Sequence, residues 1–219
     1  PNLSKLSATV RKLGADVGVA TDGDADRLGI IDENGKFLAT LQVFALLCLY
    51  LLEVRGERGL IVKTVNTSSM VNRLGEMFSV PVRETPVGFK HIAQIMLDKN
   101  ENVLIGGEES GGFGFKVHMP ERDGIFSILY FLDLMVKTGK KPSQLLDYLF
   151  SKVGPHYYDR IDIDFPELER RVIIKRVTES NLKEIDGMKV VRFDTFDGYR
   201  FTLADNTWLL IRFSGTEPL

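Results

Sequence analysis

The sequence predicts an α/β protein: a three-layer α/β domain with a mostly parallel sheet, preceded by part of a similar domain and followed by a small α+β domain. Three observations lead there. Between residues 59 and 105, short apolar runs alternate with longer runs of helical spacing, which is the βα order of a parallel sheet. Hydrophobic residues make up 44% of the 219, enough for real cores at a length that suits one large or two small domains. Past Gly154-Pro155 the order changes to a strand-like stretch, one helix and three strands, the pattern of an α+β unit.

Taken in order, Pro1 to Gly14 lacks the apolar core of a secretory signal and reads as a short helix. Asp16 to Ala20 and Leu28 to Ile31 are apolar runs of strand type, and the Glu33-Asn34-Gly35 turn closes this first piece near Leu38. Phe37 to Val54 is nearly long enough to span a bilayer, but Gln42 interrupts it and no basic flank accompanies it. A helix buried between layers is expected instead. Strands follow at Gly59 to Val62, Val80 to Glu84 and Asn102 to Ile105, with helices at Ser68 to Phe78 and Phe89 to Leu97 between them. Asp123 caps a helix that Gly139 stops, and Pro142 opens another ending near Lys152. Beyond Pro155, Tyr157 to Phe165 is strand-like, Glu167 to Asn181 helical, and Lys189 to Phe193, Tyr199 to Leu203 and Thr207 to Arg212 read as strands.

The charge balance narrows the partners. With 28 basic and 30 acidic residues the net charge is −2, so no basic field for nucleic acid is implied, and an anionic ligand must be held locally. No membrane partner is expected. Cys48 is the single cysteine, which excludes an internal disulfide or a cysteine zinc cage and suits a reducing cytosol. The expected location is cytoplasmic.

Three segments carry chemistry. Thr21-Asp22-Gly23-Asp24-Ala25-Asp26-Arg27 sits in the turn between the first two strands. Carboxylates at alternate positions of a tight loop repel one another by about 1 kcal/mol per pair in water, and a hard cation relieves that cost. Asp22, Asp24 and Asp26 are therefore candidate ligands for Mg²⁺, Ca²⁺ or Mn²⁺; an acidic surface turn is the plainer alternative. A calcium EF-hand fits poorly, since Arg27 stands where its bend needs Gly and strands border the loop, although Glu33 falls at its last ligand position. An Asp-x-Asp phosphatase nucleophile lacks the Thr usual after such a pair. The second segment, residues 106 to 114, has five glycines in nine residues with Glu108, Glu109 and Ser110 among them. It follows a strand end, where ligands gather in open α/β sheets, and its side chains suit hydroxyl groups. A flexible linker is the alternative. The third, Arg212-Phe213-Ser214-Gly215-Thr216-Glu217-Pro218, follows an apolar strand and can hold phosphate by a guanidinium fork and backbone N–H groups, though Ser-Gly-Thr is also a common turn composition.

Together, in this order, TDGDADR, GEESGG and RFSGTEP resemble the magnesium, sugar and phosphate loops of the α-D-phosphohexomutase family, the phosphoglucomutases and phosphomannomutases. Thr85-Pro86-Val87-Gly88-Phe89-Lys90 resembles its lysine-bearing segment, and Glu121-Arg122-Asp123-Gly124-Ile125 another family segment. The resemblance implies a four-domain fold around a cleft, of which residues 1–38 are the end of domain II, 39–154 a complete domain III and 155–219 a domain IV cut off after its phosphate loop. It implies interconversion of hexose 1-phosphate and hexose 6-phosphate, of glucose or mannose, through a hexose 1,6-bisphosphate. Mg²⁺ would sit on Asp22, Asp24 and Asp26, with Arg27 and Lys90 as catalytic cations. Glu108, Ser110 and, more weakly, Lys63 would bind the sugar end, and Arg212, Ser214, Gly215 and Thr216 the distant phosphate. The Thr-x-Ser-His-Asn-Pro-type segment, whose serine carries the phosphoryl group, is absent from these 219 residues. The missing N-terminal domains are thus expected partners, and the chain alone is expected to be inactive. A sugar-phosphate or metal-binding module without catalysis, and a magnesium-dependent sugar phosphatase, remain alternatives. Some members have a histidine where Gly112 stands, which leaves the choice of hexose open.

Overall fold

In the computed structural model, which describes residues 3–163 and 166–213, the chain falls into two units, Pro1–Tyr158 and Asp159–Leu219. The first opens with α1 (Ser4–Leu13), whose last turn carries Arg11 and Lys12 and whose stop is Gly14, so cations meet the negative end of the helix. Next come β1 (Val17–Thr21), β2 (Leu28–Asp32) and β3 (Phe37–Leu38), an antiparallel sheet in that order. Thr21 pairs with Leu28, which makes Asp22 to Arg27 the hairpin loop.

The helix expected from Phe37 begins later. Phe37 and Leu38 pair with β2, and α2 (Thr40–Leu49) starts where the Gln42 side chain accepts a hydrogen bond from the Ala39 N–H at 3.0 Å. The polar residue that interrupts the apolar run is the helix's cap. α2 continues into a π-helical turn, Tyr50–Val54, and every residue from Val43 to Leu52 is buried. A helix apolar all round belongs in a core, and it lies between layers, as its sequence predicts. Among the described residues, no helix is long and apolar enough to cross a membrane.

β4 (Leu60–Thr64), β5 (Val82–Thr85) and β6 (Val103–Gly107) run parallel in the order β5-β4-β6, with β7 (Phe113–Phe115) antiparallel on β6. β4 alternates faces: Leu60 and Val62 pack with Phe89 and Ile92 of α4 (Phe89–Leu97). Ile61 joins the larger core with α2, α3 (Met70–Phe78), α5 (Gly124–Thr138) and α6 (Pro142–Val153). Helices therefore cover both faces of a largely parallel sheet, giving the three layers. Leu28, Ile30 and Leu38 belong to that same larger core, so it runs unbroken across residue 38.

β7 falls inside what glycine density marks as loop. Phe113 and Phe115 are buried on either side of Gly114, and Phe113 stacks on Phe44 of α2 at 5.2 Å. A second difference lies after Pro155, where residues 157–163 form no strand. Tyr157, Ile161 and Ile163 are exposed; their alternation has no neighbouring strand to pair with. Asp164 and Phe165 lie outside the described residues.

The second unit holds α7 (Glu167–Glu179) and an antiparallel sheet in the order β11-β10-β9-β8, built from β8 (Glu184–Ile185), β9 (Met188–Asp194), β10 (Tyr199–Leu203) and β11 (Trp208–Ile211). Three of these strands match the apolar runs. The two-residue β8 is too short to leave a pattern.

Candidate functional site

The carboxyl ends of β4 and β6, the loop after β1 and the N-terminus of α5 converge. In the β1–β2 loop, one oxygen from each of Asp22, Asp24 and Asp26 lies within 4.8 Å of the others. The loop turns tightly enough to put Ala25 at φ 59°, a left-handed conformation uncommon for a side chain larger than Gly. Its carbonyl accepts from the Gly124 N–H at 2.9 Å, so the first turn of α5 holds the strained residue in place. Asp123 caps that helix, its Oδ1 accepting from the Phe126 N–H at 2.8 Å, as the sequence predicts.

The charges in the loop are unevenly matched. Arg27 Nε donates to Asp22 Oδ2 at 2.5 Å and lies 3.6 Å from Asp26. Partial burial works against the charged form of Asp22, but the hydrogen bonds from Arg27 outweigh it and hold this carboxyl below the usual range. At Asp26 burial prevails and pushes the carboxyl up, with Asp22 and Asp24 adding to the rise and Arg122 opposing it. Asp26 Oδ1 is buried without a hydrogen-bond partner. An orphaned carboxylate oxygen beside two further acids fits a hard cation, whose bond would supply what the protein does not.

Glu108 stands just past β6, in the glycine-rich segment. Gly107 lies over the Phe44 ring, where a Cβ would come within 2.5 Å of the ring, so only glycine lets the strand end settle on α2. Glu108 is 6% exposed. Its Oε1 accepts from the Gly88 N–H at 3.1 Å, and its Oε2 from Arg122 at 3.3 Å. Gly88 stands at φ 125° at the head of α4, a conformation open to glycine alone. Burial pushes the Glu108 carboxyl above its ordinary range, against the pull of Arg122 and the Gly88 N–H.

The predicted site residues have different fates. Asp22, Asp24, Asp26, Arg27 and Glu108 share this end of the fold; Ser110 is exposed at the tip of the turn, and Lys90 is exposed on the first turn of α4. Lys63 is only 2% exposed. Its ammonium lies 3.1 Å from Glu84 and near the Thr67 and Ser68 carbonyls, so the fold itself takes up the charge that the sequence assigns to substrate. Arg212 belongs to the second unit, where its Nε meets Asp197 at 3.2 Å. Ser214, Gly215 and Thr216 lie outside the described residues.

The residue that sequence reasoning leaves without a role is Arg122. Its guanidinium lies 2.5 Å from Asp26 and 3.3 Å from Glu108, and sits over the Phe89 ring at 5.8 Å. The sequence signals it through the family-like segment Glu121-Arg122-Asp123-Gly124-Ile125, which carries no role for the arginine.

Comparisons with known proteins show the family. The family model for phosphoglucomutase/phosphomannomutase, alpha/beta/alpha domain III, matches residues 41–153, and that for domain II matches residues 1–35. A phosphoglucomutase/phosphomannomutase of Thermococcus kodakarensis is 38% identical over 100% of the chain and 45% of its own length. A Methanopyrus kandleri protein assigned as a phosphoglucosamine mutase is 34% identical with the same coverage, 100% and 45%. The crystal structure of a Thermus thermophilus protein assigned as a phosphomannomutase superposes with a TM-score of 0.80 at 35% identity, covering 96% of this chain and 43% of that one. The chain thus spans a little under half the length of these relatives. With a family model covering its central α/β domain and a second one covering the β1–β2 hairpin, it belongs to the phosphoglucomutase/phosphomannomutase family.

Proposed function

We propose that the chain contributes the metal, sugar and phosphate loops of a Mg²⁺-dependent mutase that moves phosphate between O1 and O6 of a hexose through a hexose 1,6-bisphosphate. The observation that carries this reading is the meeting of two loops distant in sequence: Asp26 and Glu108 are held by one guanidinium, that of Arg122. Metal chemistry and sugar recognition then share one place, as a phosphoryl shift on a sugar requires.

Asp22, Asp24 and Asp26 would hold the cation, which when bound offsets negative charge at a transferring phosphoryl group. Glu108 accepts hydrogen bonds from sugar hydroxyls, and Ser110 at the exposed tip both donates and accepts. Hydroxyls that keep equivalent places when the sugar turns over let one loop serve both orientations. Arg212, Ser214, Gly215 and Thr216 bind the phosphate that is not reacting, and Lys90 neutralises charge or aids proton transfer in catalysis. The division 1–38, 39–154 and 155–219 follows these loops, one to each piece. Relatives are named for glucose, mannose and glucosamine phosphates, so the hexose is chosen among closely related sugars. A cytoplasmic setting suits such a substrate.

The test is a coupled assay with glucose 1-phosphate, mannose 1-phosphate and glucosamine 1-phosphate. The 219-residue chain alone has no phosphoryl-carrying serine segment and should turn over none of them. The same chain joined to a phosphoserine-bearing N-terminal half should turn over at least one. In that longer enzyme, Arg212→Lys should raise KM for every phosphosugar alike, and Glu108→Gln should alter the ratio between hexoses. Turnover by the chain alone, or release of inorganic phosphate without isomerisation, overturns the reading.

A further inference from the structure

Arg122 is bound on both sides, and its surroundings are shaped to keep it so. Its terminal nitrogens reach Asp26 at 2.5 Å and Glu108 at 3.3 Å, Phe89 lies against the guanidinium face, and Gly112 lies against its stem. A Cβ on Gly112 would stand 2.3 Å from Arg122 Cδ, so any larger residue there displaces the side chain. Asp26 gives Oδ2 to Arg122 and leaves Oδ1 buried without a hydrogen-bond partner. Arg122 thereby fixes which oxygen the acidic cluster can offer.

We infer that Arg122 is a positioning residue that couples the cation site to the sugar loop, so that a cation on Asp26 tightens the turn that presents Glu108. The inference rests on the metal and sugar roles given above and adds a link between them. A cation that takes up part of the Asp26 charge weakens that carboxylate's hold on the guanidinium. The interaction with Glu108 then gains, and the turn closed by the Glu108 N–H on Gly112 O and the Gly111 N–H on Glu108 O is drawn in. A planar fork can hold two carboxylates at once; an ammonium on a flexible stem is a point charge that cannot replace that geometry. Two backbone routes compete: the hydrogen bond from the Leu28 N–H to Gly111 O at 3.2 Å, and the path from Ala25 O through the Gly124 N–H at 2.9 Å and the Asp123 N–H to Phe113 O at 3.0 Å.

Hydrogen–deuterium exchange of the 219-residue chain with and without Mg²⁺ separates them. In the parent, Mg²⁺ should slow exchange in peptides covering 22–27 and, by about fivefold, in peptides covering 107–112. Arg122→Lys keeps the positive charge and Gly112→Ala keeps all three charged groups, yet both should lose the response at 107–112 while retaining that at 22–27. A cation needed only for structure would be replaced by lysine. If the response at 107–112 persists in both variants, a backbone route carries it and the inference fails. It fails equally if the parent responds at 22–27 alone. No response at either segment overturns the metal assignment, and the coupling with it.

Discussion

Lys63 and Arg122 are two cations at the same end of the parallel sheet, and they serve opposite ends. Lys63 is buried, and Glu84 and two backbone carbonyls of the following loop surround its ammonium. Arg122 is about 30% exposed along its side chain, joins carboxylates from two loops, and leaves its own Nε and one oxygen of Asp26 without a hydrogen-bond partner. A satisfied charge belongs to the fold. An incompletely satisfied one marks a place where the fold has left polar atoms unpaired, which is uncommon enough in a protein interior to ask for a reason.

The largest expected effect follows from the Lys63 side. Lys63→Met leaves Glu84 and two carbonyls without their cation and should cost roughly 3 kcal/mol in urea unfolding of the 219-residue chain. Mn²⁺ affinity, read by water-proton relaxation, should stay where it was. Loss of metal binding without loss of stability would reverse the comparison. Next comes Asp26→Asn, which keeps the side-chain shape but removes a charge from the acidic cluster; it should weaken Mn²⁺ binding by about tenfold or more. Unchanged affinity in the same relaxation assay would remove Asp26 from the metal site.

Glu33 sharpens the contrast from a third position, since an EF-hand would use it as a ligand. Instead it accepts hydrogen bonds from the N–H and hydroxyl of Ser143 at the start of α6. Burial works against its charge, but the Ser143 bonds outweigh this and lower its pKa below the ordinary 4.5. A lowered carboxyl contributes stability above the unfolded-state value and loses it as pH falls through the folded one. Ser143→Ala should therefore cost roughly 1 kcal/mol at pH 7 and less on acidification below 4.5, with Mn²⁺ binding unaffected. A pH-independent cost in denaturation curves would contradict the assignment. The smallest effect belongs to Ser110→Ala: at an exposed turn tip it should change stability by no more than about 0.5 kcal/mol. Any consequence should appear only in hexose phosphate affinity, measured by calorimetry.

The sequence discloses what depends on local pattern. Acids at alternate positions mark the β1–β2 loop where the three carboxylates gather, glycine density marks the turn that carries Glu108, and the Asp123 cap and Gly139 stop bound α5. What it conceals depends on tertiary neighbours. Nothing in Lys63 itself says that Glu84 will lie beside it on the adjacent parallel strand. Nothing in Arg122 names two carboxylates that are remote along the chain. The aromatic pair Phe44 and Phe113 gives β7 its core contact, and this pairing is likewise invisible when residues 106 to 114 are read as a glycine-rich loop.

The shared core around α2 has a consequence for how the acidic cluster is supported. Leu28, Ile30 and Leu38 are buried in the same cluster as α2, α5 and β6, and burial of each such side chain contributes roughly 1.5–3 kcal/mol. The β1-β2-β3 sheet has α1 against one face, where Val10 and Leu6 meet Gly18, and shares its core with α2 and α5 through Leu28, Ile30 and Leu38. The three aspartates are thus held in place by the packing of apolar residues that carry no charge, and a cavity opened among those residues would be felt in the loop.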